Sequence, residues 1–111
     1  MVIIGSWYQN PTASAGHAAI QTALSNAFLE HKDPNTVFIN PFDSSIVTGK
    51  GQTVQAASGP WFSTAVASWA IPPVGGSFDG AHPSPAGRVF LTDKVSKETK
   101  KAFAAIGKNY S

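Results

Sequence analysis

The sequence has no cysteine and few charged residues. Without cysteine, the chain has no disulfide, no thiol nucleophile and no thiolate ligand for a metal. Charged residues make up 13% of the chain, about half their usual share, so the net charge of +2 is weak evidence for an anionic partner. The longest apolar runs are a few residues, well under the roughly 20 that a membrane-spanning helix needs, and no secretory signal peptide is visible. We therefore expect a soluble chain with no nucleic-acid or membrane partner.

Apolar residues, in contrast, are as frequent as in a globular protein, with 42% hydrophobic and 11% aromatic residues. Two short β-branched runs, Val2-Ile3-Ile4 and Val37-Phe38-Ile39, are typical of buried parallel strands. A helical pattern over about residues 15–32 separates them. This order of strand, helix and strand predicts one right-handed βαβ unit and thus an α/β fold. Residues 1–111 fit a single domain or part of one, and are few for a complete doubly wound enzyme.

The helix between the two strands is expected to bury one apolar stripe against the sheet, because its apolar residues follow helical spacing. Pro34 prevents its continuation, and His31 and Lys32 suit the negative end of the helix dipole. The stripe consists of Ile20, Ala23, Leu24, Ala27 and Phe28.

Residues 42–61 are rich in Ser, Thr, Gly and Gln and are predicted to be a long surface excursion. Two strands cannot bury both faces of a sheet, so further strands are expected. This segment offers only a weak candidate at residues 53–57. Its Gly49-Lys50-Gly51 run does not complete a phosphate loop, since Ser44 and Gly51 stand where that pattern needs Gly and Ser or Thr.

Residues 77–87 combine two titratable side chains, a tight turn and a helix start. Asp79 and His82 are three residues apart across Gly80 and Ala81, a spacing that lets the loop fold the carboxylate back onto the imidazole. A carboxylate bonded to Nδ1–H fixes the imidazole tautomer and leaves Nε2 free to accept a proton from a nucleophile. The pair is therefore a candidate for the acid–base half of a hydrolase triad.

The residues after His82 predict a helix over residues 84–107. Ser84 is a good N-cap, Pro85 fits the first helical position and Gly107 fits the position after the helix end. His82 would then lie just outside a helix N-terminus, whose positive dipole end favours the neutral imidazole that a general base needs. Lysines near the end of this helix are interpreted as a solvated face.

The run Asp79-Gly80-Ala81-His82-Pro83, with Ala86-Gly87 and an amphipathic helix after it, resembles the last conserved block of the GDSL-type (SGNH) hydrolases. These are esterases with a three-layer, flavodoxin-like α/β fold and a parallel sheet. The resemblance implies that His82 is a general base and later a general acid, oriented by Asp79. Residues 1–9 and 37–41 look like the fourth and fifth strands of the family, so this chain would supply only the C-terminal strands and helices of the fold.

The Gly-Asp-Ser block with the nucleophile, the glycine block and the Gly-x-Asn-Asp block of that family are missing from the sequence. The resemblance therefore implies that a missing N-terminal half or a partner chain supplies the serine, the oxyanion donors and further strands. It implies an ester substrate, of which an acylated carbohydrate is one option, and neither a cofactor nor a metal. By itself the chain is predicted to be inactive.

Trp7, Tyr8 and Asn10 are candidates for lining the substrate cleft, because they follow the carboxyl end of the first strand, where open α/β sheets bind ligands. Alternatively, the two aromatic residues simply cover the end of the sheet. A second alignment makes residues 5–10 a degenerate Gly-x-Asn block with Asn10 as the oxyanion donor, although the spacing differs.

Two other functions remain open. The chain could be a non-catalytic assembly or binding protein that retains the hydrolase scaffold, which predicts exposed apolar surface and strand edges completed by a partner chain. It could also be a minimal hydrolase in which Ser6, Ser63 or Ser77 is the nucleophile, although none lies in a strand–turn–helix elbow.

Overall fold

A computed structural model of the chain describes residues 1–5, 15–59, 61 and 85–107. The described strands form one four-stranded sheet in the order β1-β2-β3-β4. This arrangement of strands and helices confirms the prediction of an α/β chain. The elements in chain order are β1 (Val2–Ile4), α1 (Ala15–His31), β2 (Val37–Ile39), β3 (Ile46–Thr48), β4 (Thr53–Gln55) and α2 (Pro85–Ala105).

The predicted βαβ unit is present as β1, α1 and β2. The two strands are parallel, with Val2 opposite Val37 and Ile4 opposite Ile39. Backbone hydrogen bonds extend the ladder at the carboxyl end, where Gly5 N donates to Ile39 O at 2.8 Å. The carboxyl ends of β1 and β2 therefore lie side by side at one edge of the sheet.

The sheet is mixed and not wholly parallel, because β3 and β4 continue it with antiparallel pairing. The expectation of a long surface excursion over residues 42–61 is therefore wrong for β3. Its residues Ile46-Val47-Thr48 are β-branched, as in β1, but the surrounding segment is rich in Ser, Thr, Gly and Gln, a composition that favours a loop. Pairing with β2 makes this run a strand. The weak candidate at residues 53–57 is confirmed as a strand over Thr53–Gln55.

The two helices pack against opposite faces of the sheet. Successive strand residues point to opposite faces, and in β2 the side chains of Val37 and Ile39 face α2, whereas the ring of Phe38 lies 5.5 Å from that of Phe28 on α1. The core on the α2 side consists of Val37, Ile39, Ile46, Trp61 and Ala102.

The apolar stripe of α1 is not buried as predicted. Of its members only Phe28 lies in the core, whereas Ile20 is 54% exposed and Leu24 is 43% exposed. Gln21, which lies two turns before Phe28 on the same line of the helix, is buried instead. The helix is thus rotated by about a quarter turn from the expected orientation. Periodicity locates an apolar stripe but does not decide which side of the helix meets the sheet.

Both ends of α2 lie where the sequence predicts them. The helix begins at Pro85, and after its last residue, Ala105, Gly107 adopts a φ of 78° and donates its N–H to the carbonyl of Ala104 at 3.1 Å. This left-handed residue closes the last turn of the helix, which is a common role of glycine at that position.

A buried carboxylate ties α2 to β4. Glu98 is 2% exposed, and its Oε1 lies 3.3 Å from the Nζ atoms of both Lys94 and Lys101. Its Oε2 accepts a hydrogen bond of 2.9 Å from Nε2 of Gln55, which also donates to the carbonyl of Ser44 at 2.6 Å. Lys101 Nζ completes the cluster by donating to Gln55 Oε1 at 2.7 Å. The buried charge is tolerated because both of its oxygen atoms are paired.

Gly49, at the end of β3, packs against the turn that precedes β2. Gly49 N donates to Thr36 O at 2.9 Å, and Thr36 in turn donates its N–H and its hydroxyl to the carbonyl of Asp33, at 3.2 and 2.8 Å. A Cβ atom at position 49 would overlap that carbonyl oxygen. The glycine is therefore explained by this close approach of two backbone segments.

Candidate functional site

The site residues predicted from the motifs, Asp79 and His82, lie outside the described residues. The cleft candidates Trp7, Tyr8 and Asn10 also lie outside them, as do the alternative nucleophiles Ser6, Ser63 and Ser77.

Two side-chain amides meet at the carboxyl ends of β1 and β2. Asn40 follows the last residue of β2, and Gln21 reaches it from α1, with Gln21 Nε2 donating to Asn40 Oδ1 at 2.7 Å. Gln21 is 3% exposed. Its amide also lies against Gly5 at the end of β1, where an added Cβ would be 2.7 Å from Gln21 Oε1. One buried amide thus connects α1 to the ends of both parallel strands.

The orientation of the Asn40 amide is fixed by a backbone donor. Phe42 N donates to Asn40 Oδ1 at 2.9 Å. Because a backbone N–H can only donate, the accepting atom must be the oxygen, and Gln21 must present its NH₂ group to the same oxygen. Within the part of the chain that the structure describes, these bonds leave the NH₂ group of Asn40 as a donor for a ligand.

The loop after β2 contains a backbone conformation that residues other than glycine seldom adopt. Ser44 has a φ of 65°, which is the left-handed region, and it is buried. Its hydroxyl donates to Gly59 O at 2.6 Å, and Gly59 N donates to Asp43 O at 3.1 Å. Trp61 N donates to Pro41 O at 2.8 Å. These bonds offset the cost of the conformation and fix the loop.

A cavity of about 250 Å³ lies between α1 and this loop. Asn40 and Phe42 line it from the loop side. The helix contributes Ala18, Gln21, Thr22, Ser25 and Asn26. Among the residues that the structure describes, the cavity therefore combines amide and hydroxyl groups with one aromatic residue and has no charged side chain in its lining.

The described residues bring no group of three His, Cys, Asp or Glu side chains together that could hold a metal ion. Neither α1 nor α2 has the length and apolar character that crossing a membrane requires.

Of the two amides, only Asn40 carries a signal in the sequence. It is a polar residue placed directly after a buried strand, and the rule that selected Asn10 after the first strand applies equally to it. Gln21 carries no such signal, because it lies within a helix at a position that only the packing against β1 and β2 makes important.

Comparison of the chain with protein-family models, with curated proteins and with solved structures finds no match in any of the three.

Proposed function

We propose that this chain supplies the His-Asp half of a GDSL-type (SGNH) ester hydrolase. In this proposal His82 takes the proton of a serine nucleophile and later returns it to the leaving alcohol, while Asp79 orients the imidazole. The serine and the oxyanion donors come from a separate N-terminal half or from a partner chain. The substrate is an ester, and an acylated carbohydrate is one candidate.

The observation that carries the proposal is the order and position of α2 relative to the βαβ unit. The helix begins at Pro85, three residues after His82 in the sequence, and it packs on Val37 and Ile39 of β2. A parallel strand pair, then an Asp-x-x-His motif, then a terminal helix is the order in which the family presents its base. A helix N-terminus directly after the base favours its neutral form.

The fold of the proposed family accounts for most of the described elements. In this proposal, the parallel pair β1 and β2 is assigned to the fourth and fifth strands of the family, and the helices on opposite faces of the sheet are assigned to the outer layers of its fold. The antiparallel strands β3 and β4 depart from a wholly parallel sheet. In this proposal they extend the sheet beyond the fifth strand.

The first prediction concerns hydrolysis. The isolated chain should not cleave p-nitrophenyl acetate, because a base without its nucleophile cannot form an acyl-enzyme. Co-expression with an N-terminal half that carries a Gly-Asp-Ser block should produce activity. In that complex, His82→Ala and Asp79→Asn should each lower kcat/KM by about 10⁴-fold.

His31→Ala is the matched control, because His31 is an exposed residue at the end of α1. This variant should keep full activity. Equal rates for the His82 and His31 variants, or no hydrolysis by any complemented complex, would rule out the catalytic role.

A non-catalytic assembly protein is the second candidate, and the exposed side of α1 favours it. Ile20 and Leu24 expose apolar side chains there, and β1 is an apolar edge strand of the described sheet. Exposed apolar side chains and an apolar edge strand both suit association with a second copy of the chain.

The assembly candidate predicts that Leu24→Glu weakens self-association by about tenfold or more in sedimentation velocity experiments, because it places a charge in the apolar contact. Leu29→Glu is the control, since Leu29 lies on a different side of the same helix. A chain that stays monomeric at about 100 μM, a concentration at which a micromolar contact would be saturated, contradicts this candidate.

A further inference from the structure

We propose that the cavity between α1 and the loop after β2 binds a small, neutral, hydroxylated molecule of about the size of one monosaccharide ring. The site stands on the cavity and its lining and does not depend on Asp79, on His82 or on hydrolysis. Its volume of about 250 Å³ lies just below the usual range for drug-sized ligands, which indicates a smaller occupant.

The lining selects against charged ligands. The described side chains around the cavity are all uncharged: amides, hydroxyls, a methyl group and one aromatic ring. A charged molecule entering this space would lose part of its hydration without gaining a counter-ion, which is unfavourable. The site therefore favours a neutral molecule over an anion or a cation of the same size.

The polar groups of the cavity suit a ligand that carries several hydroxyls. The NH₂ group of Asn40 is a donor, and the hydroxyls of Thr22 and Ser25 both donate and accept. The ring of Phe42 offers an apolar surface on the same cavity. A sugar ring has both hydroxyl groups and an apolar C–H face, and so it matches both parts of the lining.

The main donor of the site is fixed before any ligand binds. Asn40 Oδ1 already accepts hydrogen bonds from Gln21 and from Phe42 N, at 2.7 and 2.9 Å. The loop that carries Asn40 is held by the bond between Ser44 and Gly59. Binding a ligand then requires little ordering of the protein, which preserves affinity for a small molecule.

The test is a titration of the full ¹⁵N-labelled chain with glucose, followed by ¹H–¹⁵N NMR. The side-chain NH₂ signals of Asn40 and Gln21 should shift and saturate, with a dissociation constant of about 1 mM, as expected for a small open site. Glucose 6-phosphate, which has the same ring and carries a charge, should bind at least about tenfold more weakly.

Two variants test the hydrogen-bond donor of Asn40 and the volume of the cavity separately. Asn40→Asp keeps the oxygen that accepts from Gln21 and Phe42 but loses the NH₂ donor, so it should weaken glucose binding by about tenfold or more. Ser25→Phe places an aromatic ring in the cavity and should abolish binding. Ser96→Phe places the same ring on the exposed surface of α2 and should leave binding unchanged.

The proposal is overturned if glucose gives no saturable shift up to about 100 mM, far above the expected dissociation constant. It is also overturned if Ser25→Phe binds as tightly as the unmodified chain, or if glucose 6-phosphate binds as tightly as glucose. His82→Ala should leave the titration unchanged, so failure of the catalytic proposal and failure of this site are distinguishable.

Discussion

Gly49→Ala is expected to lower the free energy of unfolding by more than about 3 kcal/mol. The added Cβ would overlap the carbonyl oxygen of Asp33 and would lie 2.7 Å from its carbonyl carbon and 2.8 Å from Thr36 Oγ1. Two of these atoms belong to the backbone, so no change of rotamer relieves the clash. Separating the segments would also break the bond from Gly49 N to Thr36 O at the entry to β2.

Gly51→Ala, two residues away, is the control for this prediction. A Cβ at position 51 meets nothing within 4 Å, but φ there is +82°. The substitution should therefore cost only the left-handed strain, about 1 kcal/mol. Urea unfolding followed by circular dichroism measures both variants. If Gly51→Ala is the more damaging of the two, the close approach at Gly49 does not control stability.

Glu98→Ala is expected to lower the free energy of unfolding by about 3 kcal/mol. The variant removes the carboxylate that accepts from Gln55 and pairs with Lys94 and Lys101, and it leaves space between α2 and β4. Glu98→Gln keeps the volume but loses the charge. Its effect should therefore lie between those of the unmodified chain and the alanine variant.

Asp93→Ala is the matched control on the same helix. Asp93 also pairs with a lysine, Lys97, at 2.9 Å, but both side chains are largely exposed. Exposed ion pairs contribute little to stability, so Asp93→Ala should lower the free energy of unfolding by less than about 0.5 kcal/mol. Equal denaturation midpoints for Glu98→Ala and Asp93→Ala would show that burial does not distinguish the two carboxylates.

Local signals were sufficient for part of the fold. The β-branched runs of β1 and β2, Pro85 at the start of α2 and Gly107 at its end each act through their own backbone preferences. The strand β3 has a similar β-branched run, Ile46-Val47-Thr48, but the Ser-, Thr- and Gly-rich composition around it indicates a loop, and only its pairing with β2 shows it to be a strand. The orientation of α1 was also beyond prediction, since the side that meets the sheet depends on how Gln21 and Phe28 pack against both strands.

The two candidate sites also differ in whether the sequence predicts them. Asp79 and His82 can be recognised because a short motif holds both chemical groups within four residues. The amide pair of Gln21 and Asn40 joins residues 19 positions apart, and a third contact from Phe42 N sets its orientation. The spacing of these residues in the sequence does not predict the arrangement, because packing of the helix on the sheet creates it.

The position of Asn40 directly before Pro41 has a consequence for chemical ageing. An asparagine usually loses its amide when the backbone nitrogen of the next residue attacks the side-chain carbonyl and closes a five-membered ring. Proline has no N–H to take part in this cyclisation. The residue with the amide donor of the cavity is therefore protected from slow conversion to aspartate, a change that would replace that donor with a negative charge.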